Sequence, residues 1–401
     1  MVKDLYARVR QYASLAAGAF GWTDGRAPAG PLHAQIGIAD PCNHRCVMCW
    51  DHPPEDRESL STQNRFGLER PGMMSLELFK KTVADLHGLG TRRIDIVGRG
   101  EPLLNPKIGP MVSYAKQLRM LVTLTTNASR LSAELADRLV EAGLDRVNVS
   151  LNAGTPETYP KIHVSETPDN YRQVKGNLRY LADRRRAVGK AAPYVKLSFV
   201  IGSRNFLELE EMVAVVHEVG ADEAMLVHTV LHEATPDLAL TRPQYEQLLE
   251  LIPRARARAR KLGVRTNLAT FAATVPTYLD AELKGPRVVP CYVGWYFTVV
   301  LGNGSVLPCC QCSEPVDRVS EKRGFAETWS SDGYRAFRTA ARNLPAPSDR
   351  LRTCECDRCM LRSRNITVHN MLHPFNRIEG GDEEQLFTIR DLVRMKKRDG
   401  S

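Results

Sequence analysis

The chain contains no run of eighteen apolar residues, which excludes a segment built to cross a bilayer as a helix. Its first residues, MVKDLYARVRQYASLAAGAFGW, lack the apolar core and small-residue cleavage site of a secretory signal. They read instead as a short amphipathic helix with Leu5, Val9 and Tyr12 on one face. No membrane partner is expected, and the expected location is cytoplasmic, where thiols stay reduced. Aromatic residues are sparse, at 7%, and few interleave with the basic runs 184-RRR-186 and 254-RARARARK-261. Those runs read as solvated helix faces, so nucleic acid is not an expected partner despite a net charge of +9. Cysteine is absent from the whole stretch between residues 49 and 291. The ten cysteines form two groups instead: Cys42, Cys46 and Cys49, then Cys291, Cys309, Cys310, Cys312, Cys354, Cys356 and Cys359. Two such concentrations of soft ligands in a reducing compartment point to metal rather than to disulfides.

What is present suits a globular protein of two or three domains: 401 residues, 43% of them hydrophobic and 25% charged. Between residue 32 and about 230, short β-branched runs alternate with helical patterns. Strands are predicted at 33–40, 93–98, 120–126, 146–151, 195–201 and 224–230. Between them, Ser75 reads as the cap of a helix with Leu76, Phe79, Val83 and Leu86 on its apolar stripe. Ser132 reads as the cap of another, with Leu135 and Leu139 inward and Gly143 as its stop. Six βα units imply a parallel sheet with right-handed crossovers, two short of a closed barrel. The strands read as nearly continuous in apolar residues, as if buried on both faces. The fold class is therefore α/β, a partial (β/α)6 TIM-like barrel. The expected divisions are a helical extension at 1–31, the barrel at 32–240, a helical connector at 241–285, a small β-hairpin and helix domain at 286–365, and a tail at 366–401. The hairpin is expected to turn at Gly302-Asn303-Gly304.

Chemistry in parallel α/β sheets gathers at the carboxyl ends of the strands. The first predicted strand leads there into 41-PCNHRCVMCWDHPP-54, with Cys42, Cys46 and Cys49 spaced C-x3-C-x2-C. A closed zinc site would need a fourth ligand, from His44, His52 or a distant cysteine. Three thiolates also suit an iron–sulfur cubane whose fourth iron stays open. The spacing after a first barrel strand resembles the signature of the radical S-adenosylmethionine (SAM) superfamily. The resemblance implies a [4Fe-4S] cluster on these cysteines, with SAM chelating the open iron. One electron would break the sulfur–C5′ bond, and the 5′-deoxyadenosyl radical would take a hydrogen atom from substrate. Further along, Gly98-Arg99-Gly100-Glu101-Pro102 is similar to the family's glycine-glycine-glutamate-proline stretch, which meets the SAM amino group. Ser150-Leu151-Asn152 ends the fourth strand, where the family places polar groups on SAM. Ile201-Gly202-Ser203 ends the fifth and resembles the adenine contact. The family's aromatic before the third cysteine is replaced by Met48, with Trp50 following.

The second group resembles the SPASM or twitch appendage of the same superfamily: Cys291, then Gly304 and Cys309, then Cys356-x2-Cys359 after a helix carrying Trp329, Tyr334 and Arg338. The resemblance implies one auxiliary [4Fe-4S] cluster on Cys291, Cys309, Cys356 and Cys359. A second auxiliary cluster and a zinc ribbon stay open as alternatives, and Cys310, Cys312 and Cys354 are left over. Two reactions are expected. One is oxidation of a small polar metabolite by carbinol dehydrogenation, with a proton acceptor among His228, His232, Glu233 and Arg99. The other is modification of a peptide by a maturase of the SPASM class; the 32 residues before the first strand are too few for the leader-binding winged helix that many of those carry. A non-enzymatic iron–sulfur electron carrier is the third reading. The net charge of +9 suits an acidic one-electron donor of the flavodoxin or ferredoxin type.

Overall fold

The computed structural model describes residues 2–49, 51, 52, 54, 72–231, 235–279, 289–354, 356, 359 and 361–378. Its ten strands are β1 His33–Gly37, β2 Arg93–Val97, β3 Leu121–Thr126, β4 Arg146–Ser150, β5 Tyr194–Ile201, β6 Glu223–His228, β7 Arg265–Thr266, β8 Phe297–Val300, β9 Ser305–Leu307 and β10 Asp317–Arg318. They form one sheet in the order β10-β9-β8-β1-β2-β3-β4-β5-β6-β7. β1 to β6 are parallel neighbours in chain order, joined through helices, which is the expected partial barrel. β7 adds two paired residues at one edge, and the described sheet does not close on itself.

Local chemistry sets the helices as the sequence suggests. The Ser75 side chain accepts from Leu78 N and starts the helix Leu76–Gly88, which buries Phe79, Val83 and Leu86. Ser132 accepts from Leu135 N at the head of Ala133–Glu141, and Gly143 ends that helix at φ +80°.

The strands depart from the expectation of two buried faces. In β2, β4, β5 and β6 burial alternates with period two. One phase, such as Ile94, Val147 and Phe199, is buried under the helices. The other lines the hollow of the half-barrel and is only part-buried. Register sets polar groups of that phase in two rows across the sheet. Gln35, Asp95, Thr123 and Arg146 form one. Thr125, Asn148, Lys196 and Glu223 form the next.

The predicted hairpin forms between β8 and β9, with Gly304 at φ +83°. β8 also pairs in parallel with β1, so the barrel sheet continues across residue 286, where a boundary was expected. The connector contains the helices Arg242–Leu262 and Leu268–Leu279, and the tail begins within the helix Arg362–Leu372. Residues 280–285 and 379–401 lie outside the described residues.

The N-terminal helix Val2–Ala19 corrects a second expectation. Leu5 and Val9 are exposed, while Arg8, Gln11 and Leu15 face inward. Gln11 Nε2 donates to the carbonyls of Gly30 and Pro31 at 3.2 and 2.7 Å, and Arg8 Nη1 donates to Gln11 Oε1 at 3.1 Å. Backbone acceptors waiting under the helix thus favour its polar stripe over its apolar one.

The segment after this helix is fastened to the C-terminal region. Trp329 Nε1 donates to Ala29 O at 2.8 Å. Arg338 is fully buried and donates to the carbonyls of Gly294, Gly25 and Trp329, while its guanidinium stacks on Trp329 and Tyr334 at 4.2 and 4.6 Å. Arg338→Met keeps the bulk but orphans three carbonyls, so we expect a loss of about 3 kcal/mol. Urea unfolding midpoints of the two proteins would measure it; a change below about 0.5 kcal/mol would show that water replaces the guanidinium.

Candidate active site

The thiol loop that leaves β1 is held by three neighbouring strand ends. At the exit of β2, Gly100 N donates to Ala39 O at 3.1 Å and Glu101 N to Pro41 O at 2.9 Å. A Cβ on Gly100 would meet Pro41 O at 2.0 Å, and one on Gly98 would meet Ala39 O at 2.5 Å. These glycines are therefore needed for the root of the thiol loop to reach the next strand. The sequence reading assigned them to a bound ligand. At the end of β3, Asn127 donates to Asn43 Oδ1 at 3.2 Å, and Asn43 donates to Ser129 Oγ at 2.8 Å. Beyond β4, Val47 N donates to Ile162 O and Val164 N to Arg45 O, a short antiparallel bridge that sets Cys46 opposite His163.

The three thiols lie within electrostatic reach of one another, since Cys49 and Cys42 both raise Cys46. Backbone N–H groups point at two of the sulfurs: His44 N at Cys42 Sγ, 3.4 Å, and His52 N at Cys49 Sγ, 3.1 Å. His163 Nδ1 lies 3.0 Å from Cys46 Sγ. Its Nε2 faces Leu151 O at 3.1 Å, and a carbonyl only accepts, so Nε2 carries the proton in the neutral ring. Burial pushes all three thiols up, Cys49 to about 12. Bare thiols here stay protonated, and bound iron would supply the positive charge that favours thiolate. His52, one candidate fourth ligand, has Nε2 2.7 Å from Asp40 O. His44 is the other; with Cys46 and His163 its ligand atom falls within a 4.8 Å set, and its Nε2 lies 3.5 Å from Glu166 Oε1. His163 was missed in the sequence, where nothing near residue 163 signals its register against Cys46.

The strand-end residues divide by role. The Glu101 carboxylate accepts from Leu103 N, Thr126 Oγ1 and Asn127 N at 2.9, 2.5 and 2.7 Å. It thereby ties β2 to β3. Asn152 sits at φ +58°, with Oδ1 accepting from Val200 N at 3.0 Å, and so clamps β4 to β5. Ser150 ends β4 in the lumen phase. Ile201 is buried under the helices, and its carbonyl accepts from Thr229. Met48 packs beside Val47, Ile162 and Leu238, and a Cβ on Gly202 would stand 2.9 Å from Leu238 O. Met48 and Gly202 thus border the same residue.

The second thiol group gathers below β8 and β9. Cys291 N donates to Ala341 O at 3.0 Å, and Gln311 N points at Cys309 Sγ at 3.5 Å. Cys309 is raised by its contact with Cys310, then by burial, and also by Cys359 and Cys291. Cys310, left over in the sequence reading, therefore stands with three of the four expected ligands. Cys356 N donates to Cys354 O at 2.7 Å. The Tyr296 hydroxyl has no hydrogen-bond partner among the described residues; burial raises it first, and the thiols of Cys291, Cys359 and Cys309 raise it further. A donor left unpaired beside sulfur fits a thiolate-bound cluster. Cys312 and Cys354 form a disulfide, contrary to the expectation of metal alone; an antiparallel bridge sets them directly opposite.

Comparison with known proteins bears on both groups. Residues 37–192 match the model of the radical SAM superfamily, and residues 291–360 match SPASM, an iron-sulfur cluster-binding domain. The chain is a radical SAM protein with a SPASM domain. It is 26% identical over 343 residues to the tungsten-containing aldehyde ferredoxin oxidoreductase cofactor-modifying protein of Pyrococcus furiosus, covering 82% of this chain and 86% of that protein. It is 26% identical over 318 residues to the PqqA peptide cyclase of Streptomyces rochei, covering 76% and 78%. Streptococcus suis SuiB shares the fold at TM-score 0.59 and 14% identity, covering 91% and 80%. The radical SAM domain implies SAM and a SAM-binding [4Fe-4S] cluster, and the SPASM domain implies auxiliary iron–sulfur clusters.

Two candidate proton acceptors of this radical SAM protein fall away on geometry. His228 shares the helix-facing phase of β6 with Leu226, pointing away from the lumen. Its ring stacks on Phe271 at 4.1 Å, and Nε2 lies 3.0 Å from Thr274 Oγ1. Arg99 donates to Asp51 Oδ1 from Nε and Nη2 at 3.1 and 3.0 Å, and a guanidinium accepts no proton. It braces the thiol loop instead. His232, Glu233 and Trp50 lie outside the described residues. Among the described residues no helix is long and apolar enough to cross a membrane.

Gly100→Ala should displace the thiol loop and lower 5′-deoxyadenosine formation at least tenfold, with iron content falling alongside. Gly176→Ala is the control: it lies in the helix Pro168–Ala187 with open space around it and should keep activity and gain about 0.5–1 kcal/mol. Equal activity of the two variants would show that the loop root tolerates a side chain at residue 100.

A second expectation concerns pH. Burial lowers His33 and His228 from 6.5 to about 4. Between those values the unfolded chain takes up protons that the folded chain refuses. Stability should therefore fall on acidification from pH 6.5 toward 4, by at most about 1.4 kcal/mol per pH unit per histidine, and these two rings should contribute no slope above 6.5. Unfolding midpoints of the wild type and His228→Leu would test this; identical slopes would mean that the His228 ring is solvated.

Proposed function

We propose that the protein is a SPASM-class radical SAM enzyme that modifies a peptide by abstracting a hydrogen atom from one of its residues. The bound SAM cluster would supply the 5′-deoxyadenosyl radical. The observation that carries this reading is the three-thiol loop fastened to the ends of β2, β3 and β4, with a polar lumen beneath it and a second thiol group on the same sheet. The 26% identity to the PqqA peptide cyclase, over most of both chains, favours a peptide over a small metabolite. Oxidation of a carbinol carbon, the other expectation, has no such support among these relatives. A one-electron donor with an acidic surface is part of the proposal, from the net charge of +9.

In this reading the chain's own groups position and shield. Arg99 and Asp51 lock the loop, Glu101 and Asn152 fix the strand ends, and the apolar set around Leu238 walls one side against water. The test uses anaerobically reconstituted protein with SAM and dithionite, offered deuterated peptides and, separately, deuterated cyclitols. Deuterium should reach 5′-deoxyadenosine from a peptide and not from a cyclitol, and Cys46→Ala should abolish the nucleoside. Transfer from a cyclitol carbinol alone would restore the metabolite reading; intact nucleoside formation by Cys46→Ala would sink both.

A further inference from the structure

Two buried histidines beside the thiol loop have no role in a cluster held by three cysteines. His44 and His163 are each 1% exposed, and their rings meet edge to face with centroids 5.2 Å apart. The Tyr159 ring, in a residue also 1% exposed, lies 6.3 and 4.5 Å from them. Neither ring nitrogen of His44 has a hydrogen-bond partner among the described residues. A buried polar group left unpaired is costly, and phenylalanine would fill the same space without that cost.

The atoms around His44 form a set of metal ligands. His163 Nε2 donates to Leu151 O at 3.1 Å, which fixes the tautomer and leaves the Nδ1 lone pair facing Cys46 Sγ at 3.0 Å. Metal-binding histidines are commonly oriented in this way, by the other N–H on a carbonyl. His44 Nε2 stands 3.5 Å from Oε1 of the part-buried Glu166. One ligand atom from each of His44, Cys46 and His163 falls within 4.8 Å of the other two. Tetrahedral zinc, with bonds of about 2.0–2.3 Å, spaces its ligand atoms about 3.3–3.6 Å apart, so small ring movements close the set. Two neutral imidazoles, one thiolate and one carboxylate balance a divalent ion, as a site shielded from water requires.

We infer that His44, Cys46 and His163, with Glu166 as the fourth ligand, hold a single divalent ion of the zinc class when the cluster is absent. Cys46 releases its proton to solvent as the ion binds. The same sulfur serves the iron–sulfur cluster, so the two metal states exclude each other, and cluster assembly becomes a ligand exchange at Cys46. Cys42 and Cys49 take no part in the mononuclear site. The exclusion rests on the cluster reading of the loop; the ion site itself does not, and it holds whatever the substrate.

The test adds zinc, and cobalt(II) for its spectrum, to the full chain purified anaerobically and freed of iron. The second thiol group also takes such ions, so each variant is read as a difference from wild type. His44→Phe, His163→Phe and Cys46→Ala should each bind one tight equivalent less, and the difference spectrum should show thiolate-to-cobalt charge transfer. Glu166→Gln should weaken that equivalent at least about tenfold. Cys42→Ala and Cys49→Ala should keep it. Before metal is added, His44→Phe should unfold no more easily than wild type, because no hydrogen bond leaves with the ring, which separates loss of the ion from loss of the fold. Given iron and sulfide, zinc-loaded wild type should assemble the loop cluster at least about fivefold more slowly than zinc-treated His44→Phe, followed by the SAM-dependent change in its EPR signal. An equivalent that depends on Cys42 or Cys49 but not on the histidines, equal metal content in wild type and His44→Phe, or a destabilised metal-free His44→Phe would overturn the inference. Its failure is separable from that of the proposed function. A chain that binds no such ion yet yields 5′-deoxyadenosine and modifies a peptide removes only the ion site. A chain that binds it through the histidines and never cleaves SAM removes only the enzyme reading.

Discussion

The arrangement depends on one close approach of backbone to backbone, where residues 98–101 at the exit of β2 meet residues 39–41 at the exit of β1. Two hydrogen bonds cross it, and there is no room for a side chain at either glycine. With that contact made, the loop carrying Cys42, Cys46 and Cys49 has a fixed root, and Arg99 beside it can reach Asp51 farther along. The bridge between residues 45–47 and 162–164 then fixes the loop's far side. The result is a loop held from three directions, without a helix or strand of its own among the described residues. A site that must place three sulfurs and leave one coordination position open needs such bracing.

Beneath the loop, the same sheet uses its two faces differently. The helix-facing phase is apolar and fully packed, and it supplies the burial that holds the fold together. The other phase is released from packing because the barrel stays open, and it carries the charged and amide side chains. The division explains why His228 could not serve the lumen: it falls in the packing phase, where burial keeps its ring neutral.

Much of this was legible in the sequence. The six strands lie within a residue or three of where β-branched runs placed them, because short β-branched runs bounded by helical patterns read as strands whichever face is buried. Ser75, Ser132 and Gly143 announced their helix ends through local chemistry alone. The cysteine spacing marked both iron–sulfur regions. What stayed hidden depended on long-range register. His163 meets Cys46 across 117 residues, and Cys312 meets Cys354 across 42. The inward turn of Arg8 and Gln11 depended on carbonyls near residue 30, to which hydropathy is blind. For His228 the signal was present: Leu226, two residues earlier, shares its side of the strand.

The continuity of the sheet through β8 has a mechanical consequence. β1 lies between β2 and β8, so both sulfur-rich regions hang from adjoining ribbons of a single hydrogen-bonded lamina. The ladder hydrogen bonds on either side of β1 couple the spacing of the two regions. Breathing that admits a bulky molecule would come at the opposite rim, where β7 is stitched on by just two residues.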